Sequence, residues 1–169
     1  MNGSLQVLRL NIKLIALMAL PIVAGTALLI VFFSMENNTK APPFIITDVN
    51  GSVFKLDDQK GKIVIVEFMA TWCRYCKAQT EELKLVYERF RDMPIIIISI
   101  SVEPSGDLKT LAEYRNNLGA TWMFAQSHEV GLNYSVKVLP TTVIIDHDGR
   151  VRFRHEGVVE ASKLIDEIS

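Results

Sequence analysis

The chain of 169 residues has room for one domain of ordinary size. Its 18 basic residues nearly balance its 19 acidic residues, which excludes the basic excess typical of proteins that bind nucleic acid or another polyanion. The mean hydropathy of +0.23 is high for a soluble domain, and one N-terminal segment accounts for it.

That segment is the first predicted element, a transmembrane helix. The 20 residues from Leu14 to Phe33 carry no charge, and a helix of this length rises about 30 Å, the thickness of the hydrocarbon core of a bilayer. A cleaved signal peptide has a shorter apolar run and ends in small residues, whereas this run ends in "VFFSMENN". We therefore predict an uncleaved membrane anchor over residues 14–35.

The charges on either side of the apolar run predict its orientation. Arg9 and Lys13 precede it, and Glu36 is the first charged residue after it. Because basic flanks stay in the cytoplasm, residues 1–13 are predicted to be cytoplasmic and the rest of the chain extracytoplasmic. Residues 36–43 are polar, end in two prolines and are predicted to form a linker.

Residues 44–169 are predicted to form one α/β domain. Asn50-Gly51 lies between two apolar stretches, which is typical of a β-hairpin. The elements expected after it are a buried strand in "KIVIVEFMA", a helix from the cysteines onward, a strand in "IIIISIS", a helix from Asp107 to Leu118, a short strand in "TWMFA", a short helix around Val130 to Tyr134, a hairpin around "HDG" and a helix from Ala161 to Ile168. Alternating strands and helices followed by a hairpin indicate a sheet with mixed strand directions, flanked by helices.

The only two cysteines, Cys73 and Cys76, lie in "VEFMATWCRYCK" at the predicted strand-to-helix junction. As a structural disulfide they would close a loop too short to constrain the unfolded chain much. A zinc site commonly needs four ligands, and the three histidines are scattered along the chain. Redox chemistry is the favoured interpretation, because a helix N-terminus lowers the pKa of the first thiol and the second thiol can resolve a mixed disulfide.

Two motifs give the chain a family resemblance. "TWCRYCK" and "VLPTTVIIDHDGRV", with 63 residues between Cys76 and Pro140, resemble the TlpA/ResA-like branch of the thioredoxin superfamily from about Ala41 to Ser169. The resemblance implies a thioredoxin-like fold with an N-terminal β-hairpin, no cofactor and no bound metal.

The resemblance also implies roles for individual residues. Cys73 would be the exposed attacking thiolate and Cys76 the resolving thiol. Pro140 would be a cis-proline facing the pair, so that the backbone of Leu139 can pair with an extended substrate chain. Trp72 would pack beside the site.

Glu67 stands six residues before Cys73, where thioredoxins have a buried aspartate. It could be an ordinary solvent-facing strand residue, but its neighbours are apolar. A carboxyl buried there would have a raised pKa and could exchange a proton with Cys76. We therefore predict a catalytic Glu67.

The residues within and after the cysteine motif depart from the family pattern. Arg74 and Tyr75 stand between the cysteines in place of the more usual x-Pro. The positive charge of Arg74 is expected to favour the thiolate and so make the disulfide more oxidising. Gln79 occupies a position where ResA-like proteins have a glutamate near the active site.

The expected function is that of an extracytoplasmic, membrane-anchored thiol–disulfide oxidoreductase that reduces protein disulfides. Its partners would be a protein disulfide or dithiol substrate and a membrane electron carrier, with no nucleic acid. A disulfide oxidase or isomerase of the same fold remains an alternative, and a Cu(I)-handling protein is a further one, since thiolates are soft ligands. A peroxidase would need a threonine where Ala70 stands.

Overall fold

The computed structural model describes residues 39–169 of the chain. The predicted cytoplasmic segment 1–13 and the predicted anchor 14–35 lie outside the described residues. Among residues 39–169, no helix combines the length and apolar character needed to cross a membrane.

Five strands form the central sheet: β3 (Ile63–Met69), β4 (Ile95–Ser101), β5 (Met123–Gln126), β6 (Thr141–Ile145) and β7 (Val151–Glu156). Their spatial order is β5-β4-β3-β6-β7. β3, β4 and β5 are parallel, whereas β6 is antiparallel to both β3 and β7. This is the mixed sheet that the sequence predicts, with the long apolar strands β3 and β4 at its centre, where both faces are covered.

Four helices surround the sheet: α1 (Arg74–Arg89), α2 (Leu108–Leu118), α3 (His128–Asn133) and α4 (Ala161–Ile168). The limits of α2 follow from local chemistry. The Asp107 carboxylate accepts the backbone N–H groups of Lys109 at 3.0 Å and Thr110 at 3.1 Å, and Gly119 ends the helix in the left-handed region at φ 65°.

The N-terminus of α4 depends on another helix. The first backbone N–H of α4, at Ala161, donates to the Glu82 carboxylate of α1 at 2.8 Å. The residue before α4, Glu160, makes no side-chain capping bond. The capping group for this helix is therefore 79 residues away in the sequence.

The alternation of side chains along β3 divides the core into two clusters. Ile65 and Met69 belong to the cluster that includes both cysteines and the apolar sides of α1, α2 and α4. Val64, Val66 and Phe68 face the opposite cluster, which includes residues of the N-terminal hairpin and α3. Because side chains on a strand alternate between faces, Glu67 lies on the same face of β3 as Ile65 and Met69, the face toward the cysteines.

The N-terminal hairpin consists of β1 (Ile45–Thr47) and β2 (Val53–Lys55), as predicted. Asp48 holds its turn, since Asp48 Oδ1 accepts the N–H groups of Asn50 at 2.9 Å and Ser52 at 2.8 Å. Gly51, at φ 84°, supplies the left-handed residue of the turn. A 3-10 turn over Leu56–Gln59, which the sequence analysis did not predict, follows β2.

Candidate active site

Cys73 and Cys76 form a disulfide at the start of α1, directly after the carboxyl end of β3. Cys73 is the N-cap of α1, and its Sγ accepts the backbone N–H of Cys76 at 3.1 Å. The free N–H groups of a helix N-terminus favour negative charge. The geometry therefore suits a thiolate at Cys73 after reduction of the disulfide.

The two sulfur-bearing side chains differ in accessibility. Cys73 is 7% exposed, whereas Cys76 is 0% exposed. An incoming reagent therefore meets Cys73 before Cys76. The prediction of an exposed Cys73 is wrong, because the side chain is buried against the core cluster, whereas its role as the attacking thiolate stays a prediction.

The neighbours of Cys73 in the sequence form an exposed rim. Trp72 is 74% exposed and Tyr75 is 67% exposed, and Arg74 is also exposed. Trp72 thus lies next to Cys73 in the sequence with most of its surface in solvent, and its packing beside the site stays a prediction. Large exposed aromatic side chains are typical of surfaces that contact other proteins.

The segment before β6 contains the predicted cis-proline. The Leu139–Pro140 peptide bond is cis, and Leu139 packs against the cluster that contains both cysteines. The carbonyl of Pro140 accepts the N–H of Gly157 at 2.8 Å. Among residues 39–169, no hydrogen bond occupies the backbone N–H or C=O of Leu139.

Glu67 is fully buried in the middle of β3, so the interpretation as a solvent-facing strand residue is wrong. Burial raises its pKa from 4.5 to about 8, although a hydrogen bond from Ser99 partly opposes the rise. Ser99 Oγ donates to Glu67 Oε2 at 2.6 Å. Near neutral pH the carboxyl is thus mostly protonated, with a smaller ionised fraction that can accept a proton.

Glu103 is a site residue that the sequence analysis missed. Its carboxylate accepts the backbone N–H of Thr71 at 3.0 Å, the hydroxyl of Thr71 at 3.1 Å and the hydroxyl of Ser101 at 2.9 Å. These bonds hold the chain two residues before Cys73. Glu103 follows β4 as Thr71 follows β3, so the rule that parallel strands end at the same sheet edge could have identified the pair.

The described part of the chain offers no obvious metal centre. Within residues 39–169, no group of three or more His, Cys, Asp or Glu side chains is placed to hold a metal ion. The three histidines, His128, His147 and His155, are exposed.

Comparisons of sequence identify relatives with a shared activity. Residues 38–154 match the model of the AhpC/TSA family. The chain is 30% identical over 149 residues to the thiol-disulfide oxidoreductase ResA of Bacillus thuringiensis, with 85% of each chain covered. It is 32% identical over 113 residues to ResA of Geobacillus kaustophilus, covering 66% of this chain and 64% of the relative.

Comparisons of structure identify the fold. A thiol:disulfide interchange protein of the thioredoxin family from Chlorobium tepidum matches with a TM-score of 0.69 and 23% identity, covering 78% of this chain and 94% of that one. StoA from Bacillus subtilis matches with a TM-score of 0.66 and 16% identity, covering 76% and 98%. The predicted thioredoxin-like arrangement of sheet and helices is confirmed.

Proposed function

Because the chain belongs to the AhpC/TSA family and is a thiol–disulfide oxidoreductase of the thioredoxin type, we propose that it reduces protein disulfides outside the cytoplasm while anchored in the cell membrane. The observation that carries this proposal is the position of Cys73. Its sulfur lies at the N-terminus of α1, accepts an N–H of that helix and is bonded to Cys76. A sulfur in this position is an activated nucleophile with its resolving partner already in reach.

The reduction proceeds in two exchanges. The Cys73 thiolate attacks one sulfur of the substrate disulfide, and the other substrate sulfur leaves as a thiolate. The Cys76 thiol then loses its proton and attacks Cys73 Sγ, which releases the second substrate sulfur. Two electrons pass to the substrate, and the Cys73–Cys76 disulfide forms.

Three neighbouring groups support these steps. The Leu139 backbone, unpaired among the described residues, can align an extended substrate chain beside the cysteines. Trp72 and Tyr75 offer exposed aromatic surface to the substrate. Glu67 exchanges the proton of Cys76 during resolution, because a carboxyl with a pKa of about 8 is close in acidity to a thiol.

The proposed location follows from the N-terminal sequence. The uncharged run from Leu14 to Phe33 has the length of a membrane span, and its basic flank precedes it. A reductase in an oxidising compartment needs a continuous supply of electrons. We therefore propose a membrane dithiol carrier as the partner that returns the Cys73–Cys76 disulfide to the dithiol.

The reduction potential of the Cys73–Cys76 pair tests the direction of the reaction. Equilibration of the protein in glutathione buffers, followed by alkylation of the free thiols, measures it. We expect a value near that of thioredoxin, about −270 mV. A value close to about −120 mV, typical of a strong oxidant, would favour the disulfide oxidase instead.

A further inference from the structure

A row of polar groups crosses the sheet on the face that holds the active site. Ser99 on β4 and Thr142 on β6 are the cross-strand partners of Glu67 on β3. All three side chains are 0% exposed. Trp122, which lies just before β5, extends the row, because its Nε1 donates to Ser99 Oγ at 3.0 Å.

The chemistry of these groups fixes the direction of each hydrogen bond. An indole N–H can only donate, so Ser99 Oγ must accept from Trp122. An ionised carboxylate can only accept, so the single proton of the Ser99 hydroxyl is donated to ionised Glu67 at Oε2, over 2.6 Å. Ser99 thus accepts from Trp122 and donates to Glu67 at the same time.

This direction leaves the two oxygens of Glu67 unequal. Oε2 is occupied as an acceptor, whereas Oε1 is buried and has no hydrogen-bond partner among residues 39–169. A neutral carboxylic acid that accepts at one oxygen carries its proton on the other. The proton of neutral Glu67 accordingly belongs on Oε1.

The groups that face Glu67 from neighbouring elements do not change this assignment. Thr142 Oγ1 likewise has no hydrogen-bond partner in the described part of the chain. Tyr114 of α2 has a pKa raised to about 12, mainly by burial and further by the charge of Glu67, so it stays neutral. Cys76 of α1 belongs to the same face and lies in the disulfide when the protein is oxidised.

We propose that Ser99 and Trp122 are positioning residues, which hold Glu67 Oε2 as an acceptor and thereby assign proton exchange to Oε1. The inference rests on the proposed role of Glu67 in resolution. When the Cys76 thiol attacks Cys73 Sγ, its proton passes to ionised Glu67 at Oε1, the new S–S bond forms, and the substrate sulfur leaves with the electron pair of the broken bond. The Ser99–Glu67 hydrogen bond stays intact throughout.

Infrared spectroscopy of the oxidised full-length protein tests the position of the proton without substrate or turnover. At pH 6 Glu67 is neutral, since its pKa is about 8, and its carbonyl band is identified by its absence in Glu67→Gln. The proposal requires this carbonyl to be Oε2, which accepts a hydrogen bond and so absorbs at lowered frequency. In Ser99→Ala the band should move to higher frequency.

One further variant tests the role of Trp122, and another serves as a control. In Trp122→Phe the Ser99 hydroxyl loses the indole donor that polarises it, so its bond to Oε2 weakens and the band should move to higher frequency by less than in Ser99→Ala. Ser101→Ala is the matched control, because it removes another fully buried hydroxyl of β4 that bonds to Glu103 and not to Glu67. The control should leave the Glu67 band in place.

The pH titration of the same band supplies a second readout. Loss of the Ser99 donor should reduce the ionised-to-neutral ratio of Glu67 about tenfold at a given pH. An unshifted band in Ser99→Ala, or an unshifted band in Trp122→Phe, would overturn the proposal. If the predicted band shifts are observed but the reduction potential of the Cys73–Cys76 pair is that of a strong oxidant, only the proposed direction of the reaction is overturned.

Discussion

The side chain of Gln79 binds both polar backbone atoms of Val159, 80 residues away in the sequence. Gln79 Nε2 donates to the Val159 carbonyl at 3.2 Å, and the Val159 N–H donates to Gln79 Oε1 at 2.8 Å. Gln79 is fully buried. The amide thus links α1 to the segment before α4.

Replacement of Gln79 by glutamate should destabilise the protein. A carboxylate cannot donate to the Val159 carbonyl, so the glutamate either leaves a buried acceptor without a partner or takes up a proton at pH 7, and both cost free energy. We expect a loss of about 2 kcal/mol or more in the free energy of unfolding at pH 7, measured by urea denaturation. Glu81→Gln, on the exposed side of the same helix, is the control and should cost under about 0.5 kcal/mol. Equal stability of the two variants would contradict this account of Gln79.

The buried carboxyl of Glu67 should make the stability of the oxidised protein depend on pH. Its pKa is about 8 in the folded protein against 4.5 ordinarily, so between these values the folded state binds one proton more than the unfolded state. The free energy of unfolding should therefore fall as pH rises through this window, by up to about 1.4 kcal/mol per pH unit. Denaturation from pH 5 to 9 measures the slope, and Glu67→Gln should flatten it. The same slope in both proteins would rule out Glu67 as its source.

Substitution of the resolving cysteine should trap the first intermediate. In Cys76→Ser the Cys73 thiolate still attacks a substrate disulfide, but no second thiol is present to release the product. We expect a stable mixed disulfide through Cys73, visible by non-reducing electrophoresis and mass spectrometry. In the reduced wild-type protein, alkylation at neutral pH should modify Cys73 first. Preferential modification of Cys76 would reverse the assigned roles.

The charge of Arg74 should affect the potential only slightly. Arg74 is exposed beside the attacking sulfur, and solvent screens its interaction with a thiolate. Arg74→Gly should lower the reduction potential, because the thiolate loses a favourable charge, but by no more than about 30 mV. Arg74→Lys, which keeps the charge, is the control and should stay near the wild-type value. A rise in potential on removal of the charge would contradict the electrostatic argument.

The predicted orientation in the membrane can be tested with a reporter enzyme that is active only outside the cytoplasm. Fused after Ser169, it should be active, because the basic flank of the apolar run retains residues 1–13 in the cytoplasm. The same reporter fused directly after Lys13, before the apolar run, should be inactive. A second reporter, active only in the cytoplasm, can be fused at the same place. If this reporter is active after Ser169 and the first one is not, the predicted topology is reversed.

Local features of the sequence determined most of the fold and the central chemistry. Asp107 and Gly119 delimit α2 by capping rules that involve only neighbouring residues. The apolar runs of β3 and β4 also identify central strands locally, because a strand that is covered on both faces is apolar along its length. Cys73 and Cys76 indicate redox chemistry by their spacing and by the helix that follows them.

Tertiary structure alone decided how these parts meet. The bonds of Gln79 to Val159, of Glu103 to Thr71 and of Ser99 to Glu67 join residues 32 to 80 positions apart. Such pairs depend on strand register and on the packing of helices against the sheet. No local propensity encodes those quantities.

The same reason explains the predictions that needed correction. The accessibility of Cys73 depends on which side chains pack around the start of α1, and this follows from the assembled core and not from the motif. For Glu67 the sequence supplied the carboxyl and its apolar neighbours. Only the register between β3 and β4 placed Ser99 beside it, and only the position of Trp122 ahead of β5 gave Ser99 its indole donor.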